Sequence, residues 1–453
     1  MKDVSPLMRK LSTYVAGAVK RRLPRDVAEK AKFHLLDTLA AMISGSRILP
    51  GEKAIGYVKT LGGPEESCVV GTRLLTSTAN AALANGMFAH ADETDDSHAP
   101  SLSHPGCAVV PAALAIGERD RASGEALLRA VVLGYDVNCR VVQALGPVSF
   151  FQAGHSSHSF GAVFGAAAAA GALARLNARE VRYLFSYTAQ QASGVSCFLR
   201  DEEHIEKAFD LGGMPARNGV AAANMVAHGF TGVADVFSGE RNFFYAYSPT
   251  PQPGEMVRKL GERHDIMSAD IKRWCVGSPI QAPINSLMTL MSRHRIKSDD
   301  VEGLVVRVGV NEATYVNDRS QLTNNIQHML AILLLDGTLT FESCHDNGRI
   351  SDPQVIDLKK RIKLVGGREI TEARPRRQGI IEITTRDGRF LKHRTRAVKG
   401  TACNPMTRAE LEEKCLGLTV SILGPRRARK LIETVRNIEK LANVRDLRSL
   451  LMA

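Results

Sequence analysis

Aromatic residues are scarce in this chain: they make up 5% of its 453 residues, with one tryptophan. Its cores must therefore be packed by alanine, leucine and valine, which favour close helix–helix contact. No two of the eight cysteines form a C-x-x-C pair. That argues against zinc fingers, Fe–S clusters and redox dithiols, and predicts reduced, mostly buried thiols. There is no G-x-S-x-G elbow, so serine-hydrolase chemistry has no support. The Gly-rich stretch from Gly212 to Gly219 lacks the Lys-Ser/Thr of a phosphate loop and follows no evident strand. The longest run of small apolar residues, Ala162 to Ala174, is too short to cross a bilayer. The N-terminal stretch has no apolar segment of signal-peptide length. These absences predict a cytoplasmic protein without membrane association.

The formal charge is +12, from 59 basic and 47 acidic side chains. Part of the excess lies in Arg-rich stretches such as Arg374, Arg376 and Arg377, or Arg426, Arg427 and Arg429. No aromatic residues are interleaved with them. This pattern predicts a solvated basic face that attracts small anions, and not a nucleic-acid surface.

The length exceeds the usual limit of one core, so two domains are expected. Helical spacing of apolar residues predicts two helices over 5–45, the second opening at Pro24-Arg25-Asp26. Further helices are expected over 77–91, 111–117, 124–144, 160–176, 178–192 and 216–229. The pattern changes near residue 265. Val301–Val310 suits a strand, and two strands flank the turn signal Asp387-Gly388. Helices are expected over 326–335 and 352–365, and Thr407-Arg408-Ala409-Glu410 reads as a capping box. The fold class expected is mainly α. A large helical domain over 1–264 is completed by 401–453, and a smaller α/β domain covers 265–400.

Three polar clusters carry the chemistry. The first, from His90 to Gly106, holds His90, Asp92, Glu93, Asp95, Asp96, His98 and His104. Groups this dense suit acid/base work near neutral pH. They also suit an N/O metal site built from Asp95, Asp96, His98 and His104, or a capped polar loop. The second cluster is Gly154-His155-Ser156-Ser157-His158-Ser159, before an Ala-rich helix. The third leads Arg217 into a helix, where a guanidinium can clamp a carboxylate bidentately.

These clusters, in this order, resemble the MmgE/PrpD family, and the resemblance covers nearly the whole chain. Leu36-Asp37-Thr38-Leu39-Ala40 is similar to its N-terminal helix signature. Ala84-Asn85-Gly86, His90 and Asp95-Asp96-Ser97 follow its A-N-G…H-A-x-D-x-D-D-[ST] pattern. His104-Pro105 with Pro111-Ala112-Ala113-Leu114-Ala115, then Ala216-Arg217-Asn218-Gly219 and Asn404-Pro405-Met406-Thr407, extend the match.

The resemblance implies a helical domain built from both chain ends, a smaller α/β domain and a cleft between them. It also implies a homodimer without metal or organic cofactor. The family's activities include 2-methylcitrate dehydration, cis-aconitate decarboxylation and iminodisuccinate epimerisation. A dehydratase acting on a small di- or tricarboxylic hydroxy acid is the expected activity, with epimerisation, decarboxylation or non-catalytic carboxylate binding as alternatives. The residues carried over as catalytic are Glu93, His104, His155 and His328. Those carried over as substrate-binding are Asp96, Ser97, Lys207, Arg217 and Lys272. Several positions depart from the pattern. Glu93 replaces an Asp, Gly106 a Ser, Gly277 a His and His328 a Tyr, while Lys207 lies one residue from the family lysine.

Overall fold

Five polar side chains set the starts of the principal helices. Ser5, Ser77, Ser123 and Ser156 each accept a backbone N–H from the first turn, and Asn177 forms a capping box with Glu180. In this computed structural model, which describes residues Val4–Met452, the helices begun in this way are α1 (Pro6–Gly17), α4 (Thr78–Ala89), α6 (Gly124–Leu145), α8 (Ser157–Leu173) and α9 (Ala178–Gln191). Among them lie α2 (Arg25–Gly45), α3 (Leu49–Leu61), α5 (Gly106–Arg119) and the short α7 (Pro147–Gln152). After them come α10 (Ile205–Ala208), α11 (Met214–Ala227) and α12 (Phe243–Tyr247). One small antiparallel pair, β1 (Ser67–Cys68) and β2 (Leu75–Thr76), interrupts the helices.

The molecule is mainly α with a smaller α/β part. It divides into two compact units. The first comprises the chain up to Ala91, Asp95–Asp270, and everything from Arg408 on. The second comprises Asp92–Thr94 and Ile271–Thr407.

The first unit is packed through small residues, as the shortage of aromatics requires. Helix α8 lies against α6, α11 and α5, and Ala166–Ala170 are wholly buried. A Cβ on Gly165 would sit 2.6 Å from the Gly134 carbonyl oxygen, and one on Gly219 2.6 Å from the Ala167 nitrogen. These backbones touch, so a methyl group at either position has no room. Helix α5 starts at Gly106, five residues before the expected Pro111, which lies inside it. The proline removes one backbone bond. The helix continues because Gly106–Glu118 is buried throughout, and side-chain packing outweighs the lost bond.

The second unit carries a four-stranded sheet in the order β4-β3-β5-β6. Its strands are β3 (Val301–Gly309), β4 (Ile362–Gly367), β5 (Gly379–Thr385) and β6 (Phe390–Thr395). The last two form the hairpin predicted around Asp387-Gly388, with Gly388 at φ +84°. Around the sheet lie α13 (Ser278–His294), α14 (Val310–Val316), α15 (Ile326–Asp336), α16 (Phe341–His345), α17 (Pro353–Arg361) and α18 (Arg368–Thr371). The helix expected over 352–365 ends at Arg361. From Ile362 the chain turns to strand and pairs in parallel with β3, Leu304 opposite Ile362. Ladder hydrogen bonds there override helical spacing.

Two helices then return to the first unit: α19 (Arg408–Leu423) packs on α2, and α20 (Pro425–Arg436) on α19. The Lys414 ammonium reaches Asp37 Oδ1 at 2.5 Å, with both side chains nearly or wholly buried. This is the aspartate of the Leu36–Ala40 signature. Burial nevertheless pushes its carboxyl up to about 6. No described helix is long and apolar enough to cross a membrane.

Candidate active site

In the first unit, α4 ends at His90 and the polar loop that follows is buried. Asp95 is wholly buried and faces two imidazoles. His90 Nδ1 lies 3.0 Å from Asp95 Oδ2. His104 Nδ1 lies 3.1 Å from Oδ2 and 3.2 Å from Oδ1. The carboxylate thus orients the His104 ring by hydrogen bonds, while the His90 ring, its centroid 5.1 Å from that of His104, stands within ion-pair distance of Asp95 without hydrogen-bond geometry. His204 stands 5.2 Å from the His90 ring, and His158 stands 5.2 Å from the His104 ring. Burial drives His158 well below the ordinary histidine range, and the positive potential of His104, His90 and Lys207 adds to it. His158 is therefore a neutral imidazole at pH 7.

Asp96 faces the other way. Its Oδ2 accepts from Tyr135 Oη at 2.5 Å and meets His34 Nδ1 at 2.7 Å, while its Oδ1 accepts the Gly106 amide at 3.1 Å. Burial alone would raise this carboxyl, but the His34 and Tyr135 hydrogen bonds hold it below the usual range. Asp96 ties the loop to α2, α6 and the start of α5. Ser97 is bound by backbone: it exchanges hydrogen bonds with Asp270 at 2.9 and 2.7 Å.

Another buried carboxyl lies on the π-helical segment Phe209–Gly213 between α10 and α11. Asp210 Oδ2 accepts from Ser156 Oγ, the cap of α8, at 2.5 Å. Desolvation raises it to about 7. Nothing in the sequence marked this residue. The local signal is a wide helical turn, which often accompanies function.

The second unit holds its own constellation around Asp92–Thr94. The Glu93 carboxylate is buried, with Lys272 Nζ 3.2 Å from Oε2 and Asn324 Nδ2 2.9 Å from Oε1. Next to it, Asp92 Oδ2 pairs with His345 Nε2 at 3.1 Å. Burial opposes charge on both partners of this pair. Their attraction prevails, lowering Asp92 and raising His345. His328 is buried in α15. Desolvation, with Lys359 and Arg349 nearby, pushes it down to about 4, so it is neutral at pH 7.

The residues expected from sequence are thus sorted. Asp95 meets His104, and Glu93 meets Lys272. His155 is elsewhere. Its ring stacks on Phe150 at 4.6 Å and lies edge-on to Phe160 and Tyr247. The imidazole beside His104 belongs to His158, three residues on. Helix α8 begins at Ser157, so His158 points with its first turn while His155 precedes the cap. Arg217 lies over the Phe209 ring and donates to Asn218 Oδ1. The Lys207 amide donates to Asp201.

The metal set read from sequence does not form as such, because Asp96 is held by His34 and Tyr135, and His98 Nδ1 meets Ser101. His90, Asp95 and Cys107 do present buried ligand atoms within 4.8 Å of one another. The Cys107 thiol, however, donates to the carbonyls of His104 and Leu211, and a thiol must lose its proton to bind a metal.

Known proteins similar to this chain are the following. Residues 9–256 match the MmgE/PrpD N-terminal domain and residues 274–440 the MmgE/PrpD C-terminal domain. The chain is 25% identical to a cis-aconitate decarboxylase-like protein, oryM, of Aspergillus oryzae, over 97% of this chain and 96% of the relative. It is 25% identical to human cis-aconitate decarboxylase, over 97% and 93% respectively. It is 22% identical to cis-aconitate decarboxylase of Aspergillus terreus, over 95% and 92%.

Proposed function

Because the chain belongs to the MmgE/PrpD family, we propose that it is a cofactor-independent lyase that removes a proton α to a carboxylate of a small di- or tricarboxylic acid. The observation that carries this reading is the buried Asp95 carboxylate hydrogen-bonded to His104 Nδ1. A carboxylate on Nδ1 fixes the ring's tautomer and leaves Nε2 for proton transfer.

Elimination needs a base for the α-proton, an acid for the leaving hydroxyl and cations for the enolate-like charge. We assign the proton transfers to Glu93 and His104, with His158 in the supporting place first given to His155. Lys272, Lys207 and Arg217 hold carboxylates. Lys272 pairs with Glu93, so a substrate carboxylate that draws Lys272 away makes Glu93 a stronger base. His328, neutral at pH 7, can donate only from an uncharged ring.

Dehydration of a hydroxy acid such as 2-methylcitrate is the first reading. Decarboxylation of an unsaturated acid is the second, favoured by the names of the curated relatives. The assembly we expect is a cytoplasmic homodimer.

The test is a ¹H NMR screen in D₂O of hydroxy, unsaturated and amino di- and tricarboxylates, 2-methylcitrate and cis-aconitate among them. Loss of water, loss of CO₂, and deuterium uptake without loss separate the three reactions. Glu93→Gln and His104→Ala should each lower turnover by about 10²-fold or more. Retained activity in either removes that residue from the mechanism.

A further inference from the structure

Gly277 stands where the family pattern has histidine, and its backbone does not explain the glycine. With φ −50° and ψ 143° it adopts a conformation open to any L-residue. Space explains it. A Cβ at this position would lie 2.4 Å from Asn324 Oδ1, whereas the nearest atom of another residue, Pro279 Cδ, is an ordinary 3.7 Å away.

Asn324 is firmly held there. It ends the turn Leu322–Asn324, and the Gly277 amide donates to the neighbouring Thr323 carbonyl at 2.9 Å. Its Nδ2 donates to Glu93 Oε1 at 2.9 Å and to Gln321 Oε1 at 2.8 Å. Lys272 lies at 3.2 Å from the other Glu93 oxygen. Two donors, one on each oxygen, fix the plane of the carboxylate.

We propose that Asn324 is a positioning residue for Glu93, and that Gly277 is the gap that admits it. A side chain at 277 and the present Asn324 amide exclude each other. The absence of a side chain at 277 and the presence of an amide on Glu93 are therefore coupled. This rests on the reading of Glu93 as a proton-transfer group.

The decisive experiment combines Gly277→Ala, Asn324→Ala and the double variant. In the parent chain, Gly277→Ala displaces a hydrogen-bonded amide and should lower the urea midpoint. In the Asn324→Ala background the clash is gone, and the same change should raise the midpoint, as Gly→Ala does at compatible φ. On the acid selected by the D₂O screen, both single variants should lower kcat about tenfold with KM changed less than threefold. They should also move the acidic limb of the kcat/KM profile to higher pH, because a carboxylate that loses a donor is protonated more easily. An effect of Gly277→Ala with the same sign in both backgrounds overturns the proposal. So does an Asn324→Ala enzyme with parental kcat and pH profile while Glu93→Gln is inactive. Full activity in Glu93→Gln, or a parent chain that exchanges no proton with any acid, removes the catalytic reading of Glu93 and this assignment with it.

Discussion

Asp210 makes the stability of the helical unit depend on pH in an unusual direction. Its carboxyl is buried on the π-helical segment, one oxygen on Ser156 Oγ and the other against Gly194, where a Cβ would be 2.7 Å away. Desolvation raises it from 3.8 to about 7. Between those values the folded chain holds a proton that the unfolded chain has released. Stability therefore falls as pH rises through this window, and the full cost is present above pH 7. A rise of about three pH units, at roughly 1.4 kcal/mol each, puts that cost on the order of 4 kcal/mol. Asp210→Asn keeps the shape and removes the titration. Its urea stability, followed by far-UV circular dichroism, should match the parent at about pH 3, below both carboxyl values. The variant should gain steadily to pH 7, then hold a constant advantage. Asp37, raised to about 6, titrates in both chains and cancels in the difference. A difference that does not change with pH would falsify the argument.

Three further outcomes follow from packing and charge. Gly86→Ala should destabilise by about 1–3 kcal/mol or more in thermal or urea unfolding, because its Cβ would lie 2.5 Å from the Gly212 carbonyl oxygen. Lys414→Met strands the Asp37 carboxylate. The expected loss is about 3–5 kcal/mol at pH 7.5 and distinctly less at pH 5, where Asp37 is protonated; equal losses at both pH values would contradict the pairing. His158→Phe keeps an aromatic ring against His104 and Phe198 but removes its nitrogens. It should lower turnover about tenfold or more with little change in melting temperature, and unchanged turnover would confine His158 to packing.

Local chemistry made much of the fold legible. The Asp387-Gly388 turn and the small-residue helices are read from neighbouring residues, and the structure follows them. Ile362–Gly367 was not legible, because its strand character comes from Leu304–Gly309, far away in sequence. The site divides in the same way. The carboxylates and histidines of the 90–106 loop are conspicuous as a cluster, but which histidine of the second cluster meets His104 depends on where α8 begins. A three-residue offset separates His155, stacked on Phe150, from His158. Asn324 and Asp210 carry no motif. One is recognised by the glycine opposite it, the other by a turn of helix too wide for its neighbours.

The partition of the 90–106 loop also bears on how the protein is made. His90 and Asp95 belong to the first unit, while Asp92–Thr94 between them belong to the second. Lys272, Asn324 and His345, which secure Glu93 and Asp92, leave the ribosome some 180 to 250 residues after them, at about 5–20 residues per second. For that interval the acidic tripeptide has none of these partners. The helical unit in turn waits for α19 and α20, which follow the second unit in sequence. The first unit therefore gains its last helices only after the second unit has been made. A ribosome stalled before residue 272 carries the 90–106 loop without the groups that set Glu93 and Asp92 in place.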